Sequence, residues 1–120
     1  FKQINDSHGH RAGDEVLRRI AAVLRHLTRP GDMPARLGGD EFAVALIHSD
    51  LEQSRVFAAR LVELISQPYA LGEKRAEVSA SIGVAHFPSV ANDADTLLQK
   101  ADQAMYEAKA AGKRRVSVAI

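Results

Sequence analysis

The chain has 120 residues, 46% of them hydrophobic and 26% charged, with a formal net charge of +1 at pH 7. This length suits a single domain with a real core, and the near-neutral charge gives no basic field of the kind that attracts nucleic acid. Cysteine is absent, which excludes disulfides and thiolate metal sites. The charge therefore predicts no nucleic-acid partner. No apolar run is long enough to span a bilayer, so we also expect no direct membrane contact by this domain.

The first predicted elements are a helix and a hairpin. Apolar residues at helical spacing predict an amphipathic helix over residues 13–28, and a Pro-Gly break ends it. A strand pair follows over 34–37 and 41–47. Gly38 and Gly39 join these two strands.

The second half of the chain predicts, in order, a helix, a strand, a helix and a strand. These elements span residues 50–67, 77–87, 93–111 and 115–120. Segment 70–76 is expected to turn into the strand over 77–87 from a short partner strand. Gly112 is expected to cap the last helix. The apolar face of the helix over 50–67 is predicted at Val56, Phe57, Leu61, Leu64 and Ile65. This order predicts an α/β sandwich on an antiparallel-rich sheet.

The hairpin turn Gly38-Gly39-Asp40-Glu41 carries the strongest chemical signal. Two glycines allow a tight turn because, without Cβ, they can take φ > 0, and they let a ligand approach the backbone. The two acids lie at a strand tip, where their carboxylates can hold a hard cation such as Mg2+. The turn therefore predicts a site for a metal-bound nucleotide phosphate, with an ordinary acidic hairpin turn as the alternative.

Further short motifs accompany this turn in a fixed order along the chain. They are Phe1-Lys2-Gln3-Ile4-Asn5-Asp6, Gly9-His10, Gly13-Asp14, Ala35-Arg36-Leu37-Gly38-Gly39-Asp40-Glu41-Phe42, Ser81-Ile82-Gly83-Val84-Ala85, Ala101-Asp102 and Met105-Tyr106-Glu107-Ala108-Lys109. Together they closely resemble the GGDEF family of diguanylate cyclases, over the whole length. One such motif is a weak signal, whereas the ordered set is very specific.

The resemblance implies both a fold and a reaction. The fold is α/β (α+β), similar to the adenylyl cyclase catalytic core and the polymerase palm, with a central, mostly antiparallel sheet flanked by helices. The reaction is nucleotidyl transfer: two GTP condense to cyclic di-GMP with release of two pyrophosphates. A homodimer holds one GTP in each domain, and each 3′-hydroxyl attacks the α-phosphate of the other nucleotide. The implied setting is bacterial second-messenger signalling in the cytoplasm, even where the longer protein is membrane-anchored.

One part of the family pattern is missing from this chain. In the family, a strand ending in Asp-x-Asp precedes the position of Phe1, and the first Asp of that pattern ligates metal. We therefore expect residues 1–120 to form a partial, N-terminally truncated GGDEF domain whose hairpin lacks a neighbour in the sheet. The 120-residue piece is expected to show little or no turnover, whereas the longer protein keeps the motif of an active cyclase.

The resemblance assigns catalysis to three residues. Asp40 corresponds to a metal-binding acid that is proposed to help deprotonate the attacking hydroxyl, and Glu41 is expected to assist in holding Mg2+ (or Mn2+). Lys2 corresponds to a lysine near the phosphates, placed to stabilise charge that develops in the transition state. A solvated terminal lysine is the ordinary alternative for Lys2.

Five residues are expected to bind GTP near the catalytic acids. Asn5 and Asp14 correspond to residues that recognise guanine, and their amide and carboxylate can match its donors and acceptors. The alternatives are a turn-forming Asn and a helix-start Asp. His10 is expected to contact the nucleotide or orient Asp14, while Gly38 and Gly39 let the phosphates lie against backbone N–H groups.

Two lysines at the end of the last predicted helix complete the substrate site. Lys109 and Lys113 correspond to the family's basic pair that grips the terminal phosphates. Lys113 replaces the more usual Arg, and a lysine offers a point charge instead of a bidentate fork. Arg114 stands where the family often has Asn. Complementation of the helix dipole is a compatible alternative role for the lysines.

A separate group is expected to bind the product. Arg29 and Asp32 form an Arg-x-x-Asp pattern ahead of Gly38, which in this family marks the site where cyclic di-GMP acts as feedback inhibitor. Arg60, on the next predicted helix, is the candidate second arginine of that site. Plain turn chemistry is the alternative for residues 29–32.

Two other functions compete with the cyclase. A catalytically silent domain would bind cyclic di-GMP or GTP as a sensor, although silent members usually have a damaged Gly-Gly-acid-acid motif. A regulatory or dimerisation domain beside a phosphodiesterase domain is the third possibility.

Overall fold

The computed structural model describes residues 10–71, 74–76 and 78–120. Its elements are α1 (His10–Leu27), β1 (Met33–Gly38), β2 (Glu41–Ala45), α2 (Leu51–Ile65), β3 (Tyr69–Leu71), β4 (Lys74–Ala76), β5 (Ser81–Val84), α3 (Ala94–Ala110) and β6 (Arg115–Val118). This mixture of helices and strands confirms the predicted α+β class. No helix within the described ranges combines the length and apolar character needed to cross a membrane.

The chain forms two compact units. The first unit comprises Phe1–His48 with Gln67–Val78, and the second unit comprises Ser49–Ser66 with Ser79–Ile120. In the described part of the chain, β1 pairs with β2 and β3 with β4, both antiparallel, whereas β5 and β6 are parallel. The parallel pair departs from the antiparallel pattern because α3 connects its strands as a crossover.

Helix α1 supplies the core of the first unit. Val16, Leu17, Ile20 and Leu24 are all buried, with no side chain more than 9% exposed. Their spacing is that of one helix face, as the sequence predicts. The helix begins at His10, three residues earlier than expected.

The β1–β2 hairpin matches the predicted strand pair. Arg36 lies opposite Phe42 and Gly38 opposite Glu41, with a register shift between Arg36 and Gly38 that leaves Leu37 as an extra residue on β1. Strand β2 ends at Ala45, two residues short of the prediction. Around residues 70–76, β3 pairs with β4 and not with the strand predicted over 77–87, so that expected pairing is wrong. The predicted strand is limited to Ser81–Val84 and pairs with β6, while Gly72 lies outside the described residues.

Helix α2 begins with a capping box and buries only part of the predicted face, because Leu61 and Ile65 are buried as predicted while other positions differ. The Asp50 carboxylate accepts from the Gln53 backbone N–H at 2.7 Å, and the Gln53 side chain accepts from the Asp50 N–H at 3.0 Å. The buried residues are Ala58, Leu61, Val62 and Ile65. Val56 is 60% exposed and Leu64 38% exposed, so their predicted inward placement is wrong. The i, i+3, i+4, i+7 stripe from Ala58 turns both flanking positions toward solvent.

Strand β5 packs directly on the backbone of α3. A Cβ built on Gly83 would collide with the Ala101 carbonyl and the Met105 N–H, so the glycine permits this close approach. Ala104 and Ala108 are 2% and 1% exposed in the same region. Small residues on both elements therefore let sheet and helix meet closely.

Helix α3 ends as predicted, with Gly112 in the position after the C-cap. Its φ is +125°, and the next N–H, of Lys113, donates to the Ala108 carbonyl at 3.0 Å. This bond satisfies a carbonyl that the last helical turn leaves open.

Candidate functional site

The tip of the β1–β2 hairpin has a backbone shape that favours glycine. Gly38 has φ = +149° and Gly39 has φ = +52°, values that a residue without Cβ takes at little cost. A Cβ added at either glycine would meet no atom of the described residues within 4 Å. The glycines are therefore favoured by backbone conformation and not by crowding, and the described residues leave these positions open to a ligand.

The two acids of this turn are exposed and unengaged. Neither Asp40 nor Glu41 takes part in an ion pair or side-chain hydrogen bond with another described residue. No cluster of three or more potential metal ligands occurs within the described ranges. The residues present still fit Mg2+, which proteins commonly hold through one or two carboxylates together with substrate phosphates.

An arginine next to the turn has a role that the sequence reasoning missed. Arg36 donates from Nε and Nη2 to the Gly39 carbonyl oxygen, at 3.0 and 2.7 Å. Its position three residues before Gly39, across a tight turn, was the available signal. Arg36 therefore belongs to the same local site as the glycines and the acids.

The turn formed by residues 29–32 uses its acid internally. The Asp32 carboxylate accepts from the Arg29 N–H at 2.9 Å and from the Ile47 N–H at 3.0 Å, and its side chain is 2% exposed. These two backbone hydrogen bonds, that of Arg29 foremost, hold the pKa of the Asp32 carboxyl below its ordinary value. The bond to Ile47 also accounts for the early end of β2, because that N–H is turned toward Asp32.

Arg29 is only partly engaged in the same turn. Its Nη2 donates to the Ile47 carbonyl at 3.2 Å, and its Nε lies 3.6 Å from Asp32 Oδ2. The side chain is nevertheless 62% exposed. Since a guanidinium carries five N–H donors, Arg29 keeps donors free for an anion while Asp32 is nearly covered.

The predicted GTP-binding residues near the chain start are described only in part. Lys2 and Asn5 lie outside the described residues, and for His10 only the backbone is described. Asp14 is exposed on α1. Because α1 begins at His10, Asp14 lies in the second helical turn, so the alternative of a helix-start Asp is wrong.

The remaining predicted residues lie in the second unit and are all exposed. Lys109 is in the last turn of α3, and Arg60 lies on α2. Lys113 and Arg114 have φ values of +64° and +48°, and the Lys113 carbonyl accepts from Arg115 Nε at 3.1 Å. Left-handed backbone is costly for such residues, so this loop has a defined and strained shape.

Comparison with protein families decides the family of the chain. The model of the diguanylate cyclase GGDEF domain matches residues 1–115. The chain belongs to the GGDEF family.

Curated relatives of this GGDEF domain include named cyclases. Diguanylate cyclase A of Treponema denticola is 35% identical over 119 residues, covering 98% of the chain and 32% of the relative. The bifunctional diguanylate cyclase/cyclic di-GMP phosphodiesterase MucR of Pseudomonas aeruginosa is 40% identical over 113 residues, covering 94% of the chain and 16% of the relative. The chain thus spans a third or less of these two relatives.

Solved structures confirm the GGDEF fold. The GGDEF domain of YfiN from Pseudomonas aeruginosa matches with a TM-score of 0.90 and 38% identity, over 99% of this chain and 75% of that one. The GGDEF domain of DgcB from Caulobacter crescentus, solved in complex with c-di-GMP, matches with a TM-score of 0.90 and 27% identity, over 98% and 71%.

Proposed function

We propose that this GGDEF domain is the catalytic unit of a diguanylate cyclase, which condenses two GTP into cyclic di-GMP and two pyrophosphates. The observation that carries the proposal is the glycine turn with two exposed carboxylates, which engage no other described side chain, and with no described atom where a Cβ of either glycine would lie. Such a turn offers oxygen ligands and N–H donors to a metal-bound triphosphate. Family membership and the named cyclases among its relatives support the same reaction.

Asp40 and Glu41 are the residues that would hold Mg2+ or Mn2+. The bound cation neutralises phosphate charge and favours deprotonation of the attacking hydroxyl. Asp40 is placed to help accept that proton, while the backbone at Gly38 and Gly39 leaves room for the phosphates. Lys2 supplies further positive charge in the transition state.

The nucleotide is positioned by residues outside the turn. Asn5 and Asp14 would recognise guanine, with His10 beside them, and Lys109 and Lys113 would bind the terminal phosphates. These lysines are point charges, which attract phosphate without fixing its orientation.

The reaction needs two domains, each holding one GTP, so we propose a homodimer. In each half-reaction the 3′-oxygen forms a bond to the α-phosphorus of the opposite nucleotide. The bond from that phosphorus to pyrophosphate breaks, and the hydroxyl proton leaves to a base. Arg29, Asp32 and Arg60 make up the proposed site for cyclic di-GMP as feedback inhibitor. We place this chemistry in the bacterial cytoplasm, as part of second-messenger signalling.

The test is Asp40→Asn in the purified full-length protein that contains this domain. Loss of a metal ligand and proton acceptor should lower cyclic di-GMP formation about 10²–10⁴-fold, measured by chromatography with GTP and Mg2+. Asp95→Asn is the matched control, because Asp95 is an exposed acid on α3 and its change alters the charge equally. Undiminished product from Asp40→Asn would refute the role of Asp40.

A silent regulatory module is the second candidate. It is favoured by the match to NbdA of Pseudomonas aeruginosa, named a cyclic di-GMP phosphodiesterase and 34% identical over 113 residues. A silent domain would bind GTP or cyclic di-GMP in equilibrium dialysis but form no product with either metal. Product formation by the wild type, lost in Asp40→Asn, decides for the cyclase.

A further inference from the structure

The hairpin turn is restrained from one side by a single side chain. Both Arg36 donors, Nε and Nη2, converge on the carbonyl oxygen of Gly39. Such bonds from a charged donor are stronger than neutral ones. No described side chain packs where a Cβ of Gly38 or Gly39 would lie, so these two hydrogen bonds are the side-chain restraint on the tip, in addition to the strand pairing of Gly38 with Glu41.

The direction of the Gly39 carbonyl fixes the direction of the next N–H. In a trans peptide, the C=O of one residue and the N–H of the next point to opposite sides. With the Gly39 carbonyl held toward Arg36, the Asp40 N–H points to the opposite side of the peptide, away from that guanidinium. Glycine backbone has wide conformational freedom, so without the two bonds the direction of this donor would be limited only by the Gly38–Glu41 pairing at the base of the turn.

We propose that Arg36 is a positioning residue for nucleotide binding. By holding the Gly39 carbonyl, it presents the Asp40 N–H and the adjoining carboxylate in one orientation to the phosphates of GTP. This inference rests on the proposed function, because it assigns the turn to phosphate binding. It differs from direct phosphate contact, since the guanidinium acts through a backbone carbonyl of its own chain.

The first measurement tests the restraint without nucleotide. Full-length protein is labelled with 13C′-glycine and 15N-aspartate, so that only Gly-Asp peptides give carbonyl–amide cross peaks. This chain contains three such pairs, Gly13-Asp14, Gly31-Asp32 and Gly39-Asp40. The Asp40→Asn variant assigns the third peak. In Arg36→Ala the Gly39 carbonyl should move to lower chemical shift, as expected for a lost hydrogen bond, while the other two peaks stay in place.

The second measurement tests the consequence for GTP. Arg36→Ala should raise the KM for GTP about tenfold relative to Arg25→Ala, a factor that corresponds to the loss of one good interaction. Arg25 is the matched control because it is an exposed arginine at the end of α1. Arg36→Lys keeps the charge but loses the fork of Nε and Nη2, so it should not restore either the carbonyl shift or the KM.

The outcomes separate the inference from the proposed function. An unmoved Gly39 carbonyl in Arg36→Ala overturns the inference, and so does a KM equal to that of Arg25→Ala. Recovery of KM in Arg36→Lys, with the carbonyl still shifted, shows that Arg36 acts through its charge and also overturns it. If the wild type forms no cyclic di-GMP, the proposed function fails, while the carbonyl shift still decides whether Arg36 restrains the turn.

Discussion

Two turns in the first unit carry acidic residues and use them in opposite ways. In residues 29–32, both carboxylate oxygens of Asp32 accept hydrogen bonds from backbone N–H groups, and the side chain is 2% exposed. At the hairpin tip, Asp40 and Glu41 are exposed and have no side-chain partner among the described residues. Both turns contain glycine and acid, so composition alone does not separate a structural acid from one available to a ligand.

The difference lies in which group satisfies the backbone of each turn. In residues 29–32 an anionic side chain accepts from the turn and from Ile47, which ties the turn to the end of β2. At the hairpin tip a cationic side chain, that of Arg36, donates to the Gly39 carbonyl. An acid that completes its own turn has little capacity left for a ligand, whereas a turn held by arginine keeps its acids free.

Among the substitutions that test this contrast between the two turns, the largest effect on stability is expected from replacing a glycine at the hairpin tip. Gly38→Ala places a residue with a Cβ at a backbone φ of +149°. This should lower the free energy of unfolding by about 1–3 kcal/mol, measured by denaturant unfolding. It should also lower cyclase activity, measured by the amount of product formed.

The neighbouring glycine provides the control for that substitution. Gly39→Asn should cost about 1 kcal/mol or less, because asparagine tolerates the left-handed region near the φ of +52° found there. Equal losses for both variants would show that the shape of the turn is not what distinguishes these two positions.

Local sequence signals predicted most of the fold, because helices and strands were read from spacing within a few residues. The β1–β2 hairpin and the Gly112 cap follow from such signals, whereas the pairing of β3 with β4 does not. The buried face of α2 was not fully predicted, because Ala58 and not Val56 is buried. Alanine gives only a weak hydrophobic signal in a sequence. Choosing between these faces requires knowledge of which elements pack on the helix.

The candidate site was predictable in its residue types but not in its contacts. Sequence alone predicted Asp40 and the turn glycines as site residues, and the structure shows Asp40 exposed and both glycines at positive φ. It placed Asp32 beside Arg29 as a ligand pair, whereas the bond from Ile47, 15 residues away, covers the Asp32 carboxylate. The Arg36 contact also depends on the bend of the hairpin. Both are consequences of tertiary geometry rather than of residue spacing.

An intermediate effect is expected at the proposed product site. Because Arg29 is 62% exposed while Asp32 is covered, Arg29 should make the main contact with cyclic di-GMP. Arg29→Ala should weaken inhibition by added cyclic di-GMP about tenfold, the loss of a charge-assisted hydrogen bond. The measurement is the ratio of rates with and without product.

Two further variants serve as controls for the prediction on Arg29→Ala. Arg25→Ala, which removes an equal charge elsewhere on the first unit, should keep the wild-type ratio. Asp32→Asn should change inhibition less than Arg29→Ala does. A larger change from Asp32→Asn would mean that the carboxylate itself faces the product, against the contrast between the two turns.

The smallest effect is expected in the pH dependence of stability. The Asp32 carboxyl has a folded-state pKa below its ordinary value of 3.8, so ionised Asp32 stabilises the fold above about pH 4. That contribution should be lost as the pH falls through the lowered pKa. Asp32→Asn should therefore have a lower free energy of unfolding than wild type at pH 7. The difference between the two free energies should become smaller below pH 4. Asp102→Asn, at an exposed position on α3, is the control that removes the same charge elsewhere. A difference in unfolding free energy that stays constant from pH 7 to pH 3 would show that the charge of Asp32 does not stabilise the turn. The hydrogen bonds that Asp32 accepts from Arg29 and Ile47 would then stabilise it without any contribution from the negative charge.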